Sequence, residues 1–162
     1  MTLVREACEA DRAALAAILH RQLAGHSLCP PLAVIDATVG GILGRPEMAR
    51  LLVAVARDAR GTQNAIVGVA ALTFVLSLEH GGLSTWLEEL YVDPSVRGRG
   101  IGTSLLCAAQ AFAAAHGARA IDLEVETGHE RVNTLYERVG FRRHARQRWF
   151  LPLSEAPREE RS

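Results

Sequence analysis

The chain has 162 residues, 49% of them apolar and 22% charged, and its 18 acidic residues are balanced by 18 arginines with no lysine at all. That length suits one domain with a real core, and the charge balance excludes both a disordered chain and a global field that would draw in nucleic acid or an acidic membrane. Cys8, Cys29 and Cys107 are odd in number and widely spaced, so neither a disulfide framework nor a zinc site is expected.

Arg5, Glu6, Glu9, Asp11 and Arg12 crowd the N-terminus, which therefore does not resemble a signal peptide, and no run of 18 apolar residues is present. A cytoplasmic protein is the expectation. In chain order, a short strand over 2–7 precedes a helix over 9–24, in which Leu15, Ile18, Leu19 and Leu23 recur at helical spacing with Gly25 as C-cap. Cys29-Pro30-Pro31 breaks the chain, and a second helix is predicted over 32–43. Strands over 51–57 and 65–78 flank a turn at 58–64, His80-Gly81-Gly82 makes another turn, and 84–92 is a further strand. A helix over 101–116 carries Ile101, Leu105, Ala108, Ala109 and Phe112 on one stripe, with Gly117 as its C-cap.

The remainder predicts a strand over 121–125 and a helix over 130–139 capped by Gly140. An extended run over 141–153 alternates Phe141, Ala145, Gln147, Trp149 and Leu151 with Arg142, His144, Arg146 and Arg148. A domain over 1–153 with a polar tail, 154–162, is expected. The fold class is α/β: tight turns make the early strands antiparallel, and the strand–helix–strand unit around 101–116 brings in a parallel or splayed pair.

The stretch VRGRGIGTSLL, Val96–Leu106, places three glycines and two arginines where a helix begins. The Walker loop is excluded, because it needs a lysine. The dinucleotide fingerprint is excluded as well: Thr103 or Leu105 stands where its third glycine belongs. What the residues do suit is an anion. Backbone N–H groups near Gly98, Gly100, Ile101 and Gly102, the helix N-terminus, and Arg97 and Arg99 all converge on one concavity.

In this light LEELYVDPSVRGRGIGTSLL resembles the central motif of the GNAT superfamily of N-acetyltransferases, Arg/Gln-x-x-Gly-x-Gly/Ala, with Arg97, Gly100 and Gly102 in its fixed places. Leu135, Tyr136, Gly140 and Phe141 match the family's L-Y-x-x-x-G-F signature. The resemblance implies a single-domain GNAT fold: a mixed sheet of six to seven strands, splayed between 84–92 and 121–125 and flanked by about four helices. It implies acetyl-CoA as cosubstrate. The pyrophosphate would rest on Arg97, Gly98, Arg99, Gly100, Ile101, Gly102 and Thr103, and the pantetheine arm along Leu90, Tyr91 and Val92.

Acetyl transfer to an amine needs a base, oxyanion donors and an acid for the leaving thiolate. The resemblance implies Tyr136 as the acid, the Val92 N–H for the oxyanion, and Glu88 as base. Glu88 and Glu89, expected on opposite faces of their strand, are also candidates for binding the substrate. His129 replaces the asparagine that often contacts the coenzyme, with Asn133 a weaker substitute. A likeness to the spermidine/spermine branch implies a small primary amine (polyamine, diamine or amino-acid-like) as acceptor, ahead of a protein amine. A non-catalytic acyl-CoA sensor is the alternative from another class. No metal, nucleic acid or membrane partner is expected, and a homodimer through the last strand stays open.

Overall fold

The computed structural model describes residues 2–24, 30–57, 64–126, 128–129 and 132–153. Five strands form one sheet in the order β1 (Thr2–Glu6), β2 (Ala49–Arg57), β3 (Asn64–Ser77), β4 (Gly82–Val92) and β5 (Ile121–Asp122). The first four pair antiparallel, and β5 joins β4 in parallel through Thr85–Ile121 and Trp86–Asp122. The helices are α1 (Arg12–Leu23), α2 (Leu32–Leu43), α3 (Ile101–Ala115) and α4 (Asn133–Arg138), with 3-10 turns at Glu9–Asp11 and Pro94–Val96.

The sheet is covered on both faces, which explains why β2 and β3 are apolar almost throughout. Leu51, Val53, Val55, Val69 and Ala71 pack under Leu15, Ile18 and Leu19 of α1 and Ile35 and Val39 of α2. The alternate residues Leu52, Ala54, Ala70 and Leu72 turn to the other face, against Ile101, Leu105, Leu106 and Ala109 of α3. Leu15, Leu72, Leu105 and Leu106 are fully buried, each contributing about 2 kcal/mol over exposure. Gly68 permits the close fit of α3. A Cβ there would lie 2.9 Å from the Tyr91 carbonyl oxygen and 3.0 Å from Leu105 Cδ1.

Three expectations are corrected. The sheet has five strands among the described residues, not six or seven. The strand expected over 121–125 pairs only at Ile121 and Asp122, because β5 diverges from β4 immediately after. The run over 141–153 forms no strand: residues 142–153 are exposed, so its alternation has no buried face to register against. Its arginines reach back instead. Arg146 pairs with Glu79 at 2.6 and 2.8 Å, and Arg148 pairs with Glu124 while lying over the Trp86 ring. The C-cap at Gly25, the turn over 58–63, the first two residues of the helix expected over 130–139 and the tail 154–162 lie outside the described residues. Among those residues, no helix is long and apolar enough to cross a membrane.

Candidate active site

The divergence of β5 opens one edge of β4. The Asp93 N–H bonds the Val67 carbonyl at 2.9 Å, so position 93 faces β3. By the alternation of an antiparallel ladder, the backbone groups of Val92 and Leu90 then point the other way, into the gap left by β5. The Val92 carbonyl there accepts a bond from Arg97 Nε at 2.9 Å, while its N–H faces the opening.

Past Val92 the Asp93 carboxylate accepts bonds from the Ser95 N–H, at 2.9 Å, and the Ser95 hydroxyl, at 2.6 Å. That turn swings the chain into α3. Gly98 and Gly100 have φ of +76° and +79°, in the left-handed region where an L side chain is strained, and no atom lies within 4 Å of a Cβ built at either. Ser104 N–H to Gly100 O, at 2.9 Å, is the first bond of the helix. The N–H groups of Ile101, Gly102 and Thr103 are consequently left for an external acceptor. Exposed Arg97 and Arg99 flank them. These features fit a pyrophosphate: open space over bare backbone, donors aligned, cations at the rim.

The two adjacent carboxylates behave differently. A register shift between Ala71 and Leu72 pairs Ala71 with Glu89 and Leu72 with Leu87, which leaves Glu88 as an extra, exposed residue. Simple alternation therefore fails here: the bulge turns Glu89 to the face of Ala71 and Tyr91, under α1, instead of the face of Leu87. Glu89 accepts a hydrogen bond from Gln22 Nε2 of α1. It also lies near enough to Tyr136 of α4 to act on it: burial first, and then the Glu89 charge, push the Tyr136 phenol above its ordinary range. The Tyr136 ring meets Phe141 edge-on at 5.7 Å and packs against the α3-side core.

The Glu89 charge thus reaches Tyr136, and the Val92 edge faces the gap left by β5. Glu88 stays at the bulge. Tyr91 is half-buried against the α1/α2-side core. Asn133 is the first residue of α4, and exposed His129 faces Glu126 with Nδ1 3.4 Å from Oε2. Sequence reasoning missed Gln22, since nothing in a helix marks which polar residue will reach a strand 67 positions away. It also missed the pairing of His80 Nε2 with Asp122 at 2.8 Å, across 42 positions. The bulge had no local signal either.

Residues 42–141 match the Acetyltransferase (GNAT) family. A mycothiol acetyltransferase of Propionibacterium freudenreichii subsp. shermanii is 48% identical over 52 residues, covering 32% of this chain and 17% of that protein. A glucosamine 6-phosphate N-acetyltransferase of Trypanosoma brucei brucei is 34% identical over 83 residues, 51% of this chain and 54% of that one. Among solved structures, an aminoglycoside N-acetyltransferase in complex with CoA superposes with a TM-score of 0.77 at 17% identity, over 95% of this chain and 96% of the other. The chain spans well under two thirds of the two curated relatives, and the structural likeness is one of fold.

Proposed function

The chain belongs to the GNAT acetyltransferase family, and from that premise we propose that it transfers the acetyl group of acetyl-CoA to a primary amine of a small molecule. The observation that carries the proposal is the turn 97–103: two left-handed glycines and three helix N–H groups without a partner among the described residues, beside two arginines and next to the open edge of β4. Acetyl-CoA supplies an activated acetyl thioester. The chain's residues would hold its pyrophosphate on the N–H groups of Ile101, Gly102 and Thr103 and its pantetheine arm along Leu90 and Val92.

Glu89 takes the proton that the ammonium of the acceptor must lose, directly or through water. Its support is its place between α1 and Tyr136, whereas exposed Glu88 suits attraction of the cation at the mouth. The Val92 N–H donates to the thioester oxygen as charge develops on it. Tyr136, whose raised pKa keeps it protonated at neutral pH, gives its Oη proton to the departing sulfur. Protons balance: one leaves the ammonium, one reaches the thiol, and the amine nitrogen releases its second proton on forming the amide. Within the amine class a polyamine, diamine or amino-acid-like acceptor is favoured by the acidic pair.

Release of free thiol from acetyl-CoA across a panel of small amines tests the activity. Thermal protection by acetyl-CoA without turnover on any amine would make the chain an acyl-CoA-binding module instead. Protection by ATP equal to that by acetyl-CoA would end the coenzyme reading. Gly100→Glu should leave a folded protein with coenzyme affinity lowered at least tenfold, through charge repulsion of about 1.4 kcal/mol or more. Gly100→Ala isolates the strain of a left-handed residue, about 1 kcal/mol. Unchanged affinity in the glutamate variant would remove the cradle.

A further inference from the structure

Gln22 sits near the end of α1 and crosses to β4, where its Nε2 donates to Glu89 Oε2. The orientation of its amide is dictated by chemistry. A carboxylate only accepts, so the NH2 end must face Glu89 and the carbonyl end must face the other way. That carbonyl oxygen, Oε1, is buried and has no hydrogen-bond partner among the described residues. Buried acceptors are nearly always satisfied, and an orphan beside an anchored carboxylate calls for a missing donor. The Glu89 charge is felt at Tyr136, so Gln22 adjoins the proposed reaction site through the carboxylate it holds.

We propose that Gln22 Oε1 and the Glu89 carboxylate together bind the acceptor's primary ammonium, each taking one N–H donor, so that α1 selects the acceptor. This rests on the acetyltransferase reading. An ammonium with three N–H groups can give one to each oxygen, and the third, passed to Glu89 through water, frees the lone pair toward the thioester carbon. A methylated nitrogen has one donor fewer and a methyl in its place. A hydroxyl or thiol has one donor in all, and cannot satisfy the pair.

The test uses the full chain with Gln22→Met, which keeps length and volume while removing both polar ends, and compares a primary amine with its N-methyl counterpart. The KM for the primary amine should rise about tenfold or more, the effect of losing a hydrogen bond to a charged group. The KM for acetyl-CoA should stay within about twofold, and the preference for primary over N-methyl amine should shrink toward unity. Thermal stability should change little, because loss of the bond to Glu89 is offset by removal of a buried unsatisfied atom. Should the Met variant fail to fold, Gln22→Leu supplies the same comparison. An unchanged amine KM in a folded, active variant overturns the inference. So does a fall in stability with equal losses for both amines, which would mark Gln22 as structural. If the wild-type protein releases thiol with no amine at all, the transferase reading itself falls, and this inference with it.

Discussion

Val92 serves two demands from one peptide unit: its carbonyl holds Arg97 at 2.9 Å and so shapes the turn, while its N–H faces the opening. A side-chain substitution there would test packing alone, so the informative single-residue experiment is at Tyr136. Tyr136→Phe keeps the ring, its edge contact with Phe141 and its place in the core, and deletes only Oη. Turnover should fall about a hundredfold, with coenzyme affinity moving less than about threefold. Full turnover in the variant would take the acid role away from Tyr136. The rise in the Tyr136 pKa has a second consequence, since the phenol should stay protonated past its ordinary range. An alkaline limb due to its ionisation therefore belongs above pH 10 and should vanish in the Phe variant. Glu88 and Glu89 show how a single inserted residue redistributes chemistry: the bulge, and not the identity of the acids, decides which one meets α1 and Tyr136.

At the scale of elements, β4 is a core strand that the proposed function also makes the cofactor edge. Up to Trp86 it is held by β5; beyond, its outward groups face the gap. Thr85 lies at the end of that held portion, 1% exposed, with its N–H bonded to the Ala120 carbonyl at 2.9 Å. Its Oγ1 is buried without a partner among the described residues. Valine has the same shape and suits a strand, so Thr85→Val should stabilise the protein by about 1 kcal/mol, or roughly 2–4 °C in Tm. A fall in Tm on thermal unfolding would mean that the hydroxyl has a role not visible in its contacts. The run after α4 behaves in the opposite way: its ion pairs to Glu79 and Glu124 are exposed, and such pairs add little stability.

For the molecule as a whole, stability against acid should depend on the link between β1 and the entrance to α1. Arg5 donates to both Asp11 oxygens at 2.7 and 2.8 Å, and these bonds hold the buried Asp11 carboxyl down at about 2, against the opposing effect of burial. A carboxyl whose folded pKa is depressed contributes stability that is present above its unfolded value near 3.8 and is lost as the pH falls toward 2. The contribution is about 2 kcal/mol, so Asp11→Asn should cost that much at pH 7 and converge with wild type near pH 2 in urea unfolding. A constant difference down to pH 2 would assign the loss to packing. From sequence, the apolar runs of β2 and β3 and the stripe of α3 were legible because burial on both sides of a sheet demands them. The order of antiparallel hairpins followed by one parallel crossover was legible because short turns and right-handed connections leave few choices. The glycine-arginine turn was equally plain, because positive φ at Gly98 and Gly100 favours glycine. Local rules could not reach the early divergence of β5, the failure of 141–153 to pair, the bulge at Glu88 or the reach of Gln22. Each of these depends on contacts between segments far apart in the chain, such as the 67 positions from Gln22 to Glu89. Sequence alone determined the α/β architecture and the glycine-arginine turn at the start of α3, since both are properties of short, contiguous stretches. Only the tertiary structure decided which carboxylate turns under α1 to meet Gln22 and which stays exposed, because those follow from register and packing.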